Sequence, residues 1–176
     1  MEGREGKKKR PLDYLFHSSG IYDIQGQQFK NRNLYVPLEH CACYQSGSSL
    51  YLAEGTDRSI AMRSTKFTLI TCKGVRTRLT PLIKRREFLT LAGTESTLLA
   101  VGGYDGEYIR EVERYHVTTD KWTDFVKLRQ EMTTPGVVVL PSLQAYRFCG
   151  YLGSQLTNSI EVIKISVDTE WKLLPL

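Results

Sequence analysis

A repeat of about 48 residues runs through this chain of 176 residues, and few folds accommodate such a period. Three apolar segments, at 50–55, 98–103 and 145–150, each end in glycine. Their final glycines lie 48 and 47 positions apart, and a second landmark, Trp122 and Trp171, recurs after 49 positions. Two independent landmarks that share one period indicate a repeated structural unit.

Each repeat is built from short segments typical of β-strands, and helical periodicity is nearly absent. In residues 67–71 and 163–167 apolar and polar side chains largely alternate, as they do in half-buried strands. Polar turns rich in Gly and Ser, such as 46–49, separate the segments. Four short strands in a unit of this length are typical of a propeller blade, so the sequence predicts an all-β fold.

The charge of the chain is concentrated at one end. The net charge is +5, and residues 1–10 supply +3 of it. We predict a disordered basic tail over 1–11 and a nearly neutral body. The alternative is a nuclear-localisation or nucleic-acid-contacting run. The basic residues of that run are Lys7, Lys8, Lys9 and Arg10.

The sequence also argues against a membrane protein and a secreted protein. No apolar run approaches the ~18 residues that a membrane span needs, and no apolar segment of a secretory signal follows the basic start. Four cysteines are too few for a disulfide scaffold of this length. We therefore expect reduced thiols, no membrane contact and a cytoplasmic protein, with a nuclear location as the alternative.

One repeat has a pattern that identifies its family. An apolar strand ends in Gly102 and Gly103, and Tyr115 precedes Trp122 by seven positions. In this pattern the chain resembles the Kelch-repeat family, strongly at 82–126 and less clearly over the rest of 12–176. Glycines permit close backbone approach, and the two aromatic side chains fill the space between blades. The motif residues that we assign a structural role are Gly55, Gly102, Gly103, Tyr115, Trp122, Gly150 and Trp171.

The other repeats keep this pattern only in part. Glu54 replaces the first glycine in one repeat, where Phe67 matches the tyrosine and a residue near 74–76 matches the tryptophan. In the last repeat Cys149 replaces the first glycine and Ile165 takes the tyrosine position. These substitutions predict blades of unequal stability.

The repeats divide the chain into a partial N-terminal blade and three four-stranded blades. The partial blade covers 12–33, and the full blades cover 34–80, 82–127 and 128–176. We predict an incomplete Kelch-like β-propeller, because propellers close at about four to eight blades. The chain is then a piece of a larger propeller, or it closes by pairing with itself or another chain. Irregular capping of the ends is a third possibility.

The resemblance implies that loops at one end of the blades bind a protein partner. These loops follow the glycine-ended strands or lead into the first strand of a blade, and they are rich in the Tyr and Arg of binding hot spots. The predicted partner-binding residues are Asp57, Arg58, Arg85, Arg86, Tyr104, Asp105, Glu107, Tyr108, Tyr151, Gln155 and Asn158.

We therefore predict a non-catalytic interaction module or scaffold with no cofactor. Alternatives are the substrate-recognition part of a ubiquitin-ligase adaptor, a metal-dependent enzyme on a Kelch-like propeller, and a nucleic-acid-associated protein that uses the basic tail. His40, Cys41 and Cys43 with Cys149 lack the spacing of structural zinc sites. We interpret Cys41 and Cys43 as small buried residues on a first strand.

Overall fold

The computed structural model describes residues 38–57, 60–71 and 75–175, together with the backbone of 18–23 and 28–33. The predicted tail and Arg58 lie outside these ranges. Among the described residues all regular structure is β-strand, and none forms a helix that is long and apolar enough to cross a membrane. The strands are β1 (Ser18–Asp23), β2 (Gln28–Asn33), β3 (Leu38–Glu39), β4 (Ala42–Ser46), β5 (Ser49–Ala53), β6 (Thr56–Asp57), β7 (Met62–Arg63), β8 (Phe67–Thr71), β9 (Arg76–Leu79), β10 (Thr90–Gly93), β11 (Thr97–Val101), β12 (Val112–His116), β13 (Lys121–Asp124), β14 (Gly136–Val139), β15 (Gln144–Leu152), β16 (Gln155–Lys164) and β17 (Lys172–Leu174).

Three four-stranded antiparallel sheets form consecutive blades. Blade 1 has the order β4-β5-β8-β9, blade 2 β10-β11-β12-β13 and blade 3 β14-β15-β16-β17. β10 contacts both β4 and β14, so the first strands stand side by side. β1 pairs with β2, and β3, β6 and β7 form a small sheet. The predicted all-β, incomplete Kelch-like propeller is confirmed, and its described blades form an open arc. The unit boundaries drawn from the sequence stay predictions.

An aromatic cluster fills the interface between blades 1 and 2. Tyr115 and Trp122 lie opposite each other on β12 and β13 and are 1% and 8% exposed. The ring of Phe67, from blade 1, packs edge-on against both, with centroid distances of 4.9 and 5.0 Å. Aromatic pairs in this arrangement gain about 0.5–1.5 kcal/mol beyond the burial of their area.

Both tryptophans also fix the chain segment that enters their own blade. The indole Nε1 of Trp122 donates to the carbonyl of Thr80 at 3.0 Å. Trp171 makes the same bond to the carbonyl of Val126, also at 3.0 Å. Each indole thus satisfies its donor while its ring is buried. Trp122 lies on the last strand of its blade and Trp171 directly precedes the last strand of its own, so each bond ties this part of a blade to the connection before that blade.

Strand register corrects the sequence alignment of the repeats. Tyr115 pairs with Leu98, and the corresponding pairs are Ile70 with Leu50 and Ile163 with Ala145. The assignments of Phe67 and Ile165 to the tyrosine position are therefore wrong. The loops between the second and third strands differ in length among the blades, so counting from glycine misplaces the third strand.

A ladder of backbone hydrogen bonds joins the three blades at one end. His40, Phe88 and Thr134 each lie two residues before a first strand and have φ values of 52°, 55° and 47°. The amide of Phe88 donates to the carbonyl of His40 at 3.3 Å, and the amide of Thr134 donates to the carbonyl of Phe88 at 2.8 Å. The left-handed backbone costs free energy at each position, and the bonds between blades offset it.

The glycine pair of blade 2 faces backbone on two sides. A Cβ on Gly103 would lie 2.9 Å from the carbonyl oxygen of Glu87, in its own blade. A Cβ on Gly102 would lie 2.6 Å from the carbonyl oxygen of Met132, beside blade 3. Both glycines also have positive φ, at 65° and 118° for Gly102 and Gly103. The pair therefore allows backbone contact within the blade and with the next one.

Blades 2 and 3 each contain a buried ion pair at one shared carboxylate position. Glu113 and Glu161 occupy the same register position, two residues before Tyr115 and Ile163. In blade 2 the cation is Arg86, whose Nη2 lies 2.5 Å from Glu113, and in blade 3 it is Arg147, whose Nη2 lies 2.6 Å from Glu161. All four side chains are at most 2% exposed.

The two arginines reach their carboxylates from different places. Arg86 precedes the first strand, where blade 3 has Met132. Arg147 lies on the second strand directly opposite Glu161, where blade 2 has Ala100 opposite Glu113. The blades thus exchange an arginine and an apolar residue between two positions around one carboxylate, which keeps each buried charge paired.

We expect Gly102→Ala to destabilise the protein by about 3 kcal/mol, because a left-handed backbone and a clash with the carbonyl of Met132 add together. Gly106→Ala is the matched control: its φ is 91°, but nothing lies within 4 Å of the added Cβ. It should cost only about 1 kcal/mol. Chemical denaturation measures both variants, and equal losses would show that no close approach exists at Gly102.

Arg86→Met should cost about 4 kcal/mol of folding free energy, because it leaves the buried carboxylate of Glu113 without its cation. The double variant Arg86→Met/Ala100→Arg copies the arrangement of blade 3 and should recover part of this loss. Denaturation curves give the free energy of unfolding of the two variants. A double variant no more stable than the single one would contradict the equivalence of the two ion pairs.

Candidate protein-binding surface

The loops at the ladder end of the blades are held in place by short backbone pairings. Tyr104 forms an antiparallel bridge with Glu87, and Tyr151 forms the corresponding bridge with Thr133. Each tyrosine directly follows the last glycine of its motif. The glycine therefore turns the chain so that the next residue pairs with the segment entering the blade, and the loop leaves from a fixed point.

A pocket of about 350 Å³, the tyrosine pocket, lies where these loops of blades 2 and 3 meet. The rings of Tyr104 and Tyr108 pack edge-on with centroids 5.4 Å apart. Tyr108 and Tyr151 are 37% and 49% exposed. Its lining residues are Phe88, Tyr104, Tyr108, Thr133, Thr134 and Tyr151.

Outside the pocket, two of the four described tyrosine hydroxyls are hydrogen-bonded, and those of Tyr51 and Tyr146 are not. The hydroxyl of Tyr44 donates to the carbonyl of Gly93, and that of Tyr115 donates to Asp120, both at 2.7 Å. The hydroxyls of the three pocket tyrosines have no hydrogen-bond partner in the described part of the chain. They remain available to donate to, or accept from, a bound molecule.

A wider groove of about 1340 Å³ adjoins the pocket and carries charged side chains. Lys84 and Lys127, from the connections into blades 2 and 3, both bind Oε1 of Glu111, at 2.9 and 3.1 Å. Partial burial would raise the pKa of Glu111, but the two lysines outweigh it and lower the pKa to about 2. Glu111 thus stays ionised and ties two connections together.

A buried carboxylate, Glu87, adjoins two pocket residues, because it precedes Phe88 and forms the backbone bridge with Tyr104. Glu87 accepts hydrogen bonds from Thr56 at 2.7 Å, from Nε of Arg63 at 2.9 Å and from Nδ1 of His40 at 3.0 Å. Burial alone would raise the pKa of Glu87, and these three bonds together bring it below its ordinary value. Because Thr56 and Arg63 lie on the small sheet and His40 precedes β4, Glu87 joins the small sheet and the entry to blade 1 to the segment that enters blade 2.

Two ring contacts fix the neighbouring side chains. The imidazole of His40 stacks on Phe88, with centroids 3.9 Å apart. The guanidinium of Arg63 lies over the ring of Tyr104, 4.9 Å from its centroid, and its Nη1 is 3.8 Å from Asp105. One face of the Tyr104 ring is thus covered by a cation that already contacts Glu87.

The structure brings together part of the predicted partner-binding set. Gln155 and Asn158 are exposed on β16 but line neither the pocket nor the groove. The predicted residues that do line one or both are Arg85, Tyr104, Asp105, Glu107, Tyr108 and Tyr151.

Two other predicted residues are not available to a partner. Arg86 is 1% exposed because its guanidinium points inward to Glu113 and to the carbonyl of Gly102. Asp57 is 6% exposed and pairs through its strand with Leu38. The prediction that these two side chains bind a partner is wrong. Arg58 lies outside the described residues.

Sequence reasoning missed the residues that complete the pocket, Phe88, Thr133 and Thr134, and the carboxylate of Glu87 next to Phe88. The positions of His40, Phe88 and Thr134 do follow the repeat period. Their side chains share no chemistry, however, and what recurs is a left-handed backbone and a bond between blades. The repeat spacing of these three positions could have identified them, but their different residue types gave no sign that they are equivalent.

The expectation of buried cysteines is also wrong. Cys41, Cys43 and Cys149 are free and exposed. Cys41 precedes β4, and Cys149 lies at a left-handed position where blade 2 has Gly102. No group of three His, Cys, Asp or Glu side chains suited to a metal ion occurs within the described residues.

Comparison with known proteins locates one family motif in the chain. The profile of the Kelch motif matches residues 85–129, which cover the second half of the connection into blade 2, all four of its strands and the start of the next connection. No curated protein matches the sequence. The chain therefore contains a Kelch motif centred on blade 2, and this match confirms its resemblance to the Kelch-repeat family.

Proposed function

We propose that this chain is a non-catalytic protein-interaction module whose tyrosine pocket and adjoining groove bind the partner. The Kelch motif supports an interaction module in general. The observation that carries the finer proposal is the pocket itself, where Tyr104, Tyr108 and Tyr151 from two blades meet with hydroxyls that have no hydrogen-bond partner among the described residues.

The chemistry of the pocket favours a protein partner. Tyrosine contributes a large contact area at small entropic cost and is enriched at binding hot spots. Tyr108 and Tyr151 expose their rings, while backbone bridges hold the loop beginning at Tyr104 and the segment around Tyr151 in place. A surface organised in this way before binding loses less conformational entropy when the partner binds.

The charged groups around the pocket support a binding role over catalysis. Glu87 is occupied by three hydrogen bonds, and Glu111 is bound by two lysines. Arg63 is held between Glu87 and Asp105. Each of these groups stabilises the ends of the blades, so each is already committed to the structure and poorly suited to act as an acid or base.

Photo-crosslinking tests where the partner binds. A benzophenone amino acid at position 108 should give a discrete adduct with another protein in cells that express the chain. The control is position 95, which is exposed in the turn between β10 and β11, at the opposite end of the blade. Adducts that form equally from both positions, or only from position 95, would contradict the proposed surface.

In affinity capture without a crosslinker, the double variant Tyr108→Ala/Tyr151→Ala should reduce recovery of the partner that crosslinking identified at least tenfold, because two hot-spot rings are lost. Tyr108→Phe/Tyr151→Phe should give an intermediate loss, since it removes only the free hydroxyls. Both positions are exposed, so the melting temperature should change little. Undiminished recovery with the alanine variant would contradict a role for the tyrosine pocket.

A further inference from the structure

Blade 3 presents an apolar face that nothing in the described part of the chain covers. Val138, Tyr146 and Val162 lie side by side on three strands, and Phe148 lies beside Ile160 in the next row. Val138 and Phe148 are 43% and 38% exposed, and the other three are half-buried. The rings of Tyr146 and Phe148 stack with centroids 6.3 Å apart. We call this surface the front face of blade 3.

The same register positions are buried in the blades before it. In blade 2, Leu99 and Val101 correspond to Tyr146 and Phe148, and both are fully buried against blade 3. In blade 1 the corresponding Tyr51 is 7% exposed, against blade 2. The front face of blade 3 therefore continues an interface that the chain forms twice.

The chain also contains a strand pair of the kind that covers such a face. In β1 and β2, Tyr22 stands opposite Phe29. In blade 2 the aromatic pair in the same relation is Tyr115 opposite Trp122, and that pair packs on the front face of blade 1. The β1–β2 pair precedes blade 1 in the chain as β12 and β13 precede blade 3, so its place corresponds to the last two strands of a blade.

We propose that the front face of blade 3 binds the β1–β2 strand pair of a second copy of this chain. The exposure of Val138 and Phe148 shows that the strand pair of the same chain does not cover them. A contact between two different surfaces leaves one front face and one β1–β2 pair uncovered unless a second contact forms. In a dimer with two such contacts, the β1–β2 pair of each chain covers the front face of the other. Such pairing also protects an apolar face that would otherwise promote aggregation.

Sedimentation and light scattering on the full chain test this proposal. We expect a dimer of twice the 20.1 kDa chain mass. Phe148→Asp should raise the dissociation constant at least tenfold, as should Phe29→Asp, because each places a charge in the contact. The control is Val167→Asp, a substitution of a residue that is 68% exposed outside this face, and it should leave the dimer unchanged. Circular dichroism verifies that each variant is folded.

Mixing the two variants identifies which surfaces meet. Phe148→Asp keeps an intact β1–β2 pair, and Phe29→Asp keeps an intact front face, so the mixture should form a heterodimer through one contact. If blade 3 met blade 3 instead, the mixture would remain monomeric apart from dimers of the Phe29→Asp chain. A monomeric wild-type chain, a dimer that Phe148→Asp leaves intact, or a mixture without heterodimer would each overturn the proposal.

Discussion

The packing of one blade on the next is the interaction on which the rest of this structure depends. A single four-stranded sheet of this kind has two apolar faces and cannot bury both by itself. The cluster of Tyr51, Phe67, Tyr115 and Trp122 closes the first interface, and Leu99, Val101 and Trp171 contribute to the second. Stability of such an array is set by contacts between neighbouring units, so each blade depends on the one beside it.

Polar bonds determine how the blades are aligned once apolar contact has brought them together. The backbone ladder through His40, Phe88 and Thr134 fixes the relative height of the first strands. The indole bonds of Trp122 and Trp171 fix the connections at the outer strands. These bonds have directional geometry that dispersion and burial lack, and they therefore select one alignment among several of similar apolar area.

The candidate binding surface follows from this alignment. The tyrosine pocket takes residues from two blades, since Phe88, Tyr104 and Tyr108 belong to the second and Tyr151 to the third. Glu87, which precedes Phe88 and pairs with Tyr104, is tied to the small sheet through Thr56 and Arg63. A change in the stacking of the blades would therefore move the pocket residues relative to one another, and stability and recognition share the same contacts.

The amino-acid sequence by itself determined the all-β class, the repeat period, the Kelch motif at blade 2 and the loop tyrosines, because periodicity and glycine spacing are local properties. It also led to a wrong prediction at two positions, where side chains expected to bind a partner are buried. Arg86 and Asp57 are charged residues in connecting segments, and only the folded chain shows that a buried carboxylate draws Arg86 inward.

The tertiary structure alone decided the strand register, the exchange of arginine positions between blades 2 and 3, and the residues that join the pocket from separate blades. Each of these depends on pairs of residues far apart in the chain. Their proximity is set by loop lengths and by the stacking of whole sheets, which no local pattern of residues encodes.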